Sequence, residues 1–152
     1  EFTDAIRLMS KPEADAIAFI EGHGEISRPY VYDAEELLSK YFFVNRGQIG
    51  NNISDLDAFK AIIIAGPVQR FTEKDKFIID QYIMSGGKVL WLVDGVYFSD
   101  EELSKNGQSA SMKNDANLDD LLFTYGVRIN PVLLQDTQCV SIYIASGDNE
   151  ND

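Results

Sequence analysis

Ala61-Ile62-Ile63-Ile64-Ala65-Gly66-Pro67 is the stretch that decides the fold. A short apolar run that ends at a glycine is typical of a strand buried on both faces, as in parallel sheets. The residues from Lys88 to Val93 repeat this pattern after a second glycine turn. Between the two runs, apolar residues recur at helical spacing after a capping-box pair, Thr72 and Asp75. The sequence therefore predicts a strand, a helix and a second strand of a parallel α/β sheet.

The alternation of strands and helices continues on both sides of this unit. Further predicted elements, in chain order, are a helical stretch at 2–9, a strand at 16–20, a helix at 33–40 capped by Asp33, a strand led in by 41–44, a connecting loop at 47–57, a polar loop at 99–117, a helix at 118–125, a strand at 127–134 and an edge strand at 140–145. We expect Leu37 and Leu38 to face inward from the helix at 33–40. We also expect the stripe that includes Phe77 and Ile78 to pack on the sheet.

Composition limits the chain to one domain and argues against some partners. The 152 residues, of which 45% are hydrophobic, suffice for one core. We assign 1–152 to a single α/β domain, with its core at 15–136 and an edge strand and frayed tail at 137–152.

A net charge of −12 repels a phosphate backbone, which argues against nucleic acid as a partner. The sequence lacks an initiator Met and any apolar run near the ~20 residues of a membrane-spanning helix, and we interpret it as a soluble domain excised from a longer protein.

The chain has one cysteine, Cys139, and one histidine, His23. A single cysteine excludes an internal disulfide and a multi-cysteine metal site, and one histidine with carboxylates is a poor match to the usual zinc ligands. No predicted strand end carries Ser or Cys at the turn, where a nucleophile would be exposed. Cys139 lies beyond the strand at 127–134, and we interpret it as a buried, inert thiol. The sequence therefore predicts no metal site, no cofactor and no catalytic residue.

Three strand ends supply the candidate binding residues, because open α/β sheets bind ligands beyond the carboxyl ends of their strands. The candidates are Glu21, His23 and Glu25 after the first strand, Gly66 and Pro67 after the strand at 61–65, and Asp94 after the strand at 88–93. His23 is either a ligand-binding or proton-shuttling group, or the hydrogen-bonding residue of a tight turn between two glycines. Gly66-Pro67 either cradles an anion or forms a structural turn, and Asp94 either contacts a metal or sugar hydroxyl or serves the turn before Gly95. For each candidate the structural interpretation is the stronger.

Six segments follow one another along the chain: Glu21-Gly22-His23-Gly24-Glu25, Ile64-Ala65-Gly66-Pro67, Phe71-Thr72-Glu73, Gly86-Gly87-Lys88, Val93-Asp94-Gly95 and Leu118 to Gly126-Val127. This ordered set resembles the gliding-motility auxiliary (GldG-type) family, which comprises extracytoplasmic domains of ABC-transport auxiliary proteins. The segments extend over roughly 15–136 of the chain. The specificity lies in their order, because each tetrapeptide alone is weak.

The resemblance implies a three-layer α/β sandwich with a mostly parallel sheet, flavodoxin-like or class I glutamine-amidotransferase-like. It also implies a place on the periplasmic face of the cytoplasmic membrane, with membrane anchors outside this sequence and with ABC-transporter membrane and ATPase subunits as partners. Family members usually continue for several hundred residues, whereas this sequence holds one α/β domain. Self-association through the edge strand at 140–145 stays open.

Two functions from different classes follow from these observations. The first is a non-catalytic extracytoplasmic domain of an ABC-transporter auxiliary component linked to gliding motility or secretion, which binds protein partners or a transported ligand. The alternative is a hydrolase or carbohydrate-active domain that uses His23, Glu21 or Glu25, and Asp94. The two differ in whether these side chains converge in one pocket. We favour the first function because no nucleophile stands at a strand end.

Overall fold

Four parallel strands form the central sheet of the computed structural model, which describes residues 14–98 and 108–133 and the single positions 102, 105 and 138. The sheet strands are β1 (Ala16–Glu21), β2 (Phe43–Gln48), β3 (Ala61–Ala65) and β4 (Lys88–Leu92), in the spatial order β2-β1-β3-β4. The helices are α1 (Arg28–Ser39), α2 (Glu73–Met84) and α3 (Asp119–Thr124), with a 3₁₀ turn at Ile53–Leu56. Two short strands, β5 (Val96–Tyr97) and β6 (Met112–Lys113), pair antiparallel beside the sheet. The predicted parallel α/β fold is confirmed.

The sheet has a core on each face, because successive side chains of a buried strand point to opposite sides. One core joins Ile17, Phe19, Ile63 and Ala65 of β1 and β3 to Leu38 and Phe42 at the end of α1. The larger core joins Ala18, Ile20, Ile62 and Ile64 to Ile78, Ile79 and Tyr82 of α2 and to Leu121 and Leu122 of α3. Helices therefore cover both faces, and the domain has three layers.

Helix α2 begins and ends as the sequence predicts. Thr72 Oγ1 accepts a hydrogen bond from the Asp75 amide at 3.2 Å, and the Asp75 carboxylate accepts one from the Thr72 amide at 3.3 Å, which completes the capping box. The helix stops before Gly86, whose φ of +96° favours glycine. At Gly87 a Cβ atom would lie 2.3 Å from the ring of Tyr82, so only glycine fits there.

Two expectations about the first helix are wrong. Helix α1 begins at Arg28 rather than after Asp33, because Ser27 takes the extended cap conformation and Pro29 suits the first helical turn. Leu37 is 59% exposed, whereas Glu35, on the same helix, is buried. Arg46 of β2 forms an ion pair with the Glu35 carboxylate and holds it against the sheet. An ionic contact therefore takes the inward position that the apolar pattern assigned to leucine, and only Leu38 packs on the core.

Three further expectations need correction. Gly47 lies inside β2, so the connecting loop starts after Gln48 instead of at 47. Phe77 is 52% exposed and Ile79 takes its place in the core, because α2 turns Ile78 and Ile79 together toward the sheet. Residues 127–133 do not form a strand. They follow the α3 C-cap and pack near Gly95, where a Cβ atom would lie 2.5 Å from the Asn130 carbonyl oxygen.

One more expectation needs correction, because the polar loop predicted at 99–117 contains strand β6, Met112–Lys113, which pairs with β5. The other expectations divide between confirmed and undescribed parts of the chain. The helix at 118–125 is confirmed as α3, which ends at Thr124 and is followed, after its C-cap, by Gly126 with φ of +81°. The helical stretch at 2–9, most of the polar loop from 99 to 107, Cys139, the edge strand at 140–145 and the tail lie outside the described residues.

Candidate functional site

The candidate site lies where the strand order reverses. Strand β1 has β2 on one side and β3 on the other, so the loops after β1 and β3 leave the sheet next to each other. In open α/β sheets such a switch point is where a ligand crevice forms. Here the loop 22–27 follows β1 and the loop 66–72 follows β3 and leads into α2. The two loops meet at the carboxyl edge of the sheet.

The backbone of His23 joins these two loops. Its carbonyl oxygen accepts hydrogen bonds from the amides of Val68 and Gln69, at 3.0 and 2.8 Å. The loop can turn back in this way because Gly22 and Gly24 have φ of +114° and +72°. A Cβ atom at Gly24 would also lie 2.7 Å from the Val68 side chain, which confirms the tight turn predicted for this glycine pair.

The side chain of His23 lies between two carboxylates, and we call His23, Glu25 and Asp75 the His23 cluster. His23 Nδ1 is 3.2 Å from Glu25 Oε1, and Nε2 is 3.4 Å from Asp75 Oδ2. The other Glu25 oxygen accepts the backbone amide of His23 at 2.7 Å. The three side chains are 9%, 4% and 11% exposed. The cluster is therefore a buried group of charges with its hydrogen-bonding atoms directed at one another.

Two aromatic rings and the start of α2 hold the His23 cluster in place. The imidazole stacks on Phe71 with ring centroids 3.7 Å apart and an angle of 8° between the planes. Phe71 is itself buried and meets Trp91 edge-on at 6.5 Å. Thr72 donates a 2.6 Å hydrogen bond from its hydroxyl to the Asp75 carboxylate. The Asp75 carboxylate therefore both caps helix α2 and faces the His23 ring.

The protonation of the His23 cluster follows from burial and pairing. Burial is the largest influence on His23 and lowers its pKa, but the hydrogen bonds and charges of Glu25 and Asp75 together outweigh it and raise the pKa. For both carboxylates burial is likewise the largest influence and raises the pKa, and it is outweighed by their hydrogen bonds and the imidazolium charge. The pKa values of Glu25 and Asp75 are therefore lowered. The arrangement favours a charged imidazolium between two charged carboxylates.

The other predicted candidates do not join this cluster. Glu21 accepts a 2.6 Å hydrogen bond from Arg46 on β2. Asp94 has an exposed side chain, and its backbone carbonyl oxygen accepts a 3.0 Å hydrogen bond from the side-chain nitrogen Nδ2 of Asn114. Gly66 has φ of +62°, and Pro67 is fully buried with its carbonyl oxygen bonded to the same Asn114 nitrogen at 2.8 Å. The structure therefore brings His23 and Glu25 together and leaves Glu21 and Asp94 apart from them.

Sequence reasoning missed two members of this site. Asp75 was predicted only as a helix cap, and Phe71 only as part of a loop motif. A usable signal was present, because a helix that follows β3 begins beside the carboxyl end of β1 whenever these two strands are neighbours. The first turn of that helix then faces the loop that carries His23.

An open cleft of about 460 Å³ lies between α1 and β2, apart from the His23 cluster, and is lined by side chains that include Arg28, Tyr32, Glu36 and Asn45. Among the described residues, no group of three His, Cys, Asp or Glu side chains is arranged to hold a metal ion. No helix within those same residues has the length and apolar character to cross a membrane.

Comparisons with known proteins address the family and the fold. The family model described as an ABC-type uncharacterized transport system matches residues 14–152. The chain is also similar to a solved structure titled mmIFT52 N-terminal domain, with a TM-score of 0.58 and 22% sequence identity over 76% of this chain. It spans 46% of that structure's length, and at this identity the likeness concerns the fold alone. No curated protein matches the chain.

Proposed function

Since this chain belongs to the ABC-type uncharacterized transport system family, we propose that it is a non-catalytic, extracytoplasmic binding domain of an auxiliary component of an ABC transporter. The family match supports the link to ABC-type transport. The finer parts of the proposal are a GldG-type role in gliding motility or secretion, a place on the periplasmic face of the cytoplasmic membrane, and anchorage by segments outside this sequence. Its partners would be the membrane and ATPase subunits of the transporter.

The observation that supports the non-catalytic role is that the ring nitrogens of His23 are already paired within the His23 cluster. Both ring nitrogens of His23 face carboxylates within 3.4 Å, and Phe71 stacks on the ring. A general acid or base needs a nitrogen or oxygen within hydrogen-bond reach of the reacting group. In the His23 cluster these atoms are used to join two loops to α2. This favours a structural role at the position where related folds bind ligands.

The carboxyl edge also carries apolar side chains, which support partner binding. Ile26, Val68 and Leu92 are 41%, 44% and 50% exposed, and we call these three the edge surface. Backbone hydrogen bonds join their segments: Ile26 N–H donates to Ala65 O, Gly66 N–H donates to Leu92 O, and Val68 N–H donates to His23 O. Where exposed apolar side chains form a contiguous patch, they mark a site of protein interaction. We infer that the edge surface contacts a protein partner.

The hydrolase alternative has less support. It requires His23 to act with Glu21 or Glu25 and with Asp94 over one cleft. Glu21 is directed at Arg46, and Asp94 is exposed beyond β4. Glu25 does reach His23, but the pair is 4% and 9% exposed. We therefore place the binding function first.

The test is a pull-down from membranes with the full-length protein as bait. Three baits are compared: the natural sequence, a variant with Ile26→Ser, Val68→Ser and Leu92→Ser, and a control with Phe77→Ser on the exposed side of α2. We expect transporter subunits with the natural bait and with the control, and a loss of most of this recovery with the triple variant.

Other outcomes would contradict parts of the proposal. Equal recovery by all three baits would remove the edge surface as the contact site. Recovery of no transporter subunit by any bait would overturn the auxiliary role. Folding of each variant is checked by far-UV circular dichroism, so that a loss of binding is assigned to the surface.

A further inference from the structure

One residue connects three elements of the carboxyl edge. The His23 carbonyl oxygen accepts the amides of Val68 and Gln69 from the loop 66–72, and the His23 ring faces Asp75 of α2. Glu25 bonds both the ring and the amide of the same histidine. Beyond His23, the loop 22–27 is joined to β3 by the hydrogen bond from Ile26 N–H to Ala65 O. The position of this loop therefore depends largely on His23.

The geometry around the ring suits only the protonated form. A neutral imidazole has one nitrogen without a proton, and that nitrogen would then face a carboxylate oxygen, so that two acceptors meet. The cluster is about nine-tenths buried, which leaves little room for water to separate them. An imidazolium donates to both Glu25 and Asp75. Loss of one proton therefore removes one of the two ring contacts.

The other charged residues on α2 and on the loop 66–72 do not alter the preference of His23 for the protonated form. On α2, Glu73 is paired with Lys76 and turned toward Asn117. In the loop 66–72, Arg70 is paired with Asp115, and both are exposed. These groups are engaged with one another or with solvent. Glu25 and Asp75 are the charges that act on the imidazole.

We propose that His23 is a proton-dependent latch, which in its protonated form closes the loop 22–27 onto the loop 66–72 and α2, and which releases that loop when the proton is lost. Ile26 and Val68 of the edge surface lie on these two loops, so release changes the shape of that surface. This last consequence rests on the proposed function, whereas the latch itself does not. Because the pKa of His23 is raised above its ordinary value of 6.5, we expect the loop to be released at a pH above 6.5.

The test uses the full chain of 152 residues and two nuclear magnetic resonance measurements. His23 is the only histidine, so its Hε1 resonance gives an unambiguous titration. Hydrogen exchange of the Val68 and Gln69 amides reports whether the loop is closed, after correction for the intrinsic pH dependence of exchange. We expect their protection factors to fall as His23 loses its proton, by about tenfold for each unit by which closure of the loop raises the pKa of His23.

A control amide and a variant test whether the change in protection is specific to the His23 loop. The Lys60 amide, bonded to Ala16 O at the other end of β1, should keep its protection throughout. Glu25→Gln should move the titration and the loss of protection together to lower pH. The latch is overturned if His23 titrates while Val68 and Gln69 stay equally protected, or if its pKa lies below 6.5.

The latch and the proposed function fail in different ways. If the amides respond to the titration but the pull-down recovers no transporter subunit, the latch stands and the proposed function falls. If the pull-down succeeds and the amides do not respond, only the latch falls.

Discussion

The two ends of strand β1 hold charges in opposite surroundings. Before the strand, Asp15 forms an ion pair of 2.8 Å with Lys60, and the two side chains are 29% and 51% exposed. After the strand, His23 pairs with Glu25 and Asp75 at longer distances, but all three side chains are 11% exposed or less. The shorter contact is therefore the one that water surrounds.

Burial, more than distance, decides what each end contributes. An exposed ion pair is screened by solvent and costs side-chain entropy, so it contributes little to stability. A buried group cannot exchange its partner for water, and removing one member leaves the others without a partner. We therefore expect the carboxyl end of β1 to be sensitive to substitution and the amino end to be tolerant.

The largest effect is expected from Phe71→Ala. This change removes a buried ring, the surface on which His23 stacks and the edge contact to Trp91. Deleting a buried Phe side chain typically costs about 3–5 kcal/mol in the free energy of unfolding. Chemical denaturation followed by far-UV circular dichroism measures the loss. A cost below about 1 kcal/mol, the size seen at tolerant sites, would show that the carboxyl end is not the sensitive one.

Glu25→Gln is expected to have the next largest effect. The glutamine keeps the size of the side chain but removes the charge that faces His23 Nδ1. An imperfectly paired buried group costs about 1–3 kcal/mol. The same denaturation experiment at pH near 6 detects it. Glu36→Gln on the exposed side of α1 is the control, and an equal loss in both variants would contradict the role of burial.

The pH dependence of stability should reveal the same cluster. The contribution of His23 is complete below its ordinary pKa of 6.5 and is lost as pH rises through the raised folded pKa. The contributions of Glu25 and Asp75 are complete above their ordinary values of 4.5 and 3.8, and are lost as pH falls through the lowered pKa values. The cluster therefore contributes most between pH 4.5 and 6.5.

Denaturation midpoints measured across this range and at higher and lower pH give the check. We expect the free energy of unfolding to decline on the alkaline side by about 1.4 kcal/mol for each unit by which folding raises the pKa of His23. In His23→Gln the alkaline decline should disappear. If it persists unchanged, another group is responsible.

Lys60→Met should have the smallest effect. It removes the exposed ion pair with Asp15 but keeps the apolar stem of the side chain. The free energy of unfolding should change by about 0–1 kcal/mol, and less at high salt. A loss as large as that of Glu25→Gln would reverse the comparison between the two ends of β1.

The sequence predicted the local elements of this fold well. The apolar run Ala61–Ala65, the capping pair of Thr72 and Asp75, and the glycine stop after α2 each depend on residues close together in the chain. Such signals need no knowledge of the neighbouring elements. The parallel sheet and the tight turn around His23 followed from them.

The errors arose where the structure depends on contacts between residues that are far apart in the sequence. Glu35 is buried because Arg46 lies beneath it on β2, and this contact overrides the apolar pattern that favoured Leu37. Asp75 joins His23 across 52 positions because β1 and β3 are neighbours. Strand order is not encoded in local spacing. The sequence therefore pointed to His23 and Glu25, which do pair, but not to Asp75 and Phe71, which reach His23 only through the strand order.

Trp91 is the only tryptophan of the chain, and its indole contacts the edge of the Phe71 ring on which His23 stacks. Tryptophan fluorescence, excited selectively near the red edge of the absorption band, therefore comes from a single site, one aromatic ring away from the histidine. A change in the charge or position of His23 alters the electric field at that indole. The emission maximum and lifetime offer an optical record of the cluster without any label, on timescales that hydrogen exchange does not reach.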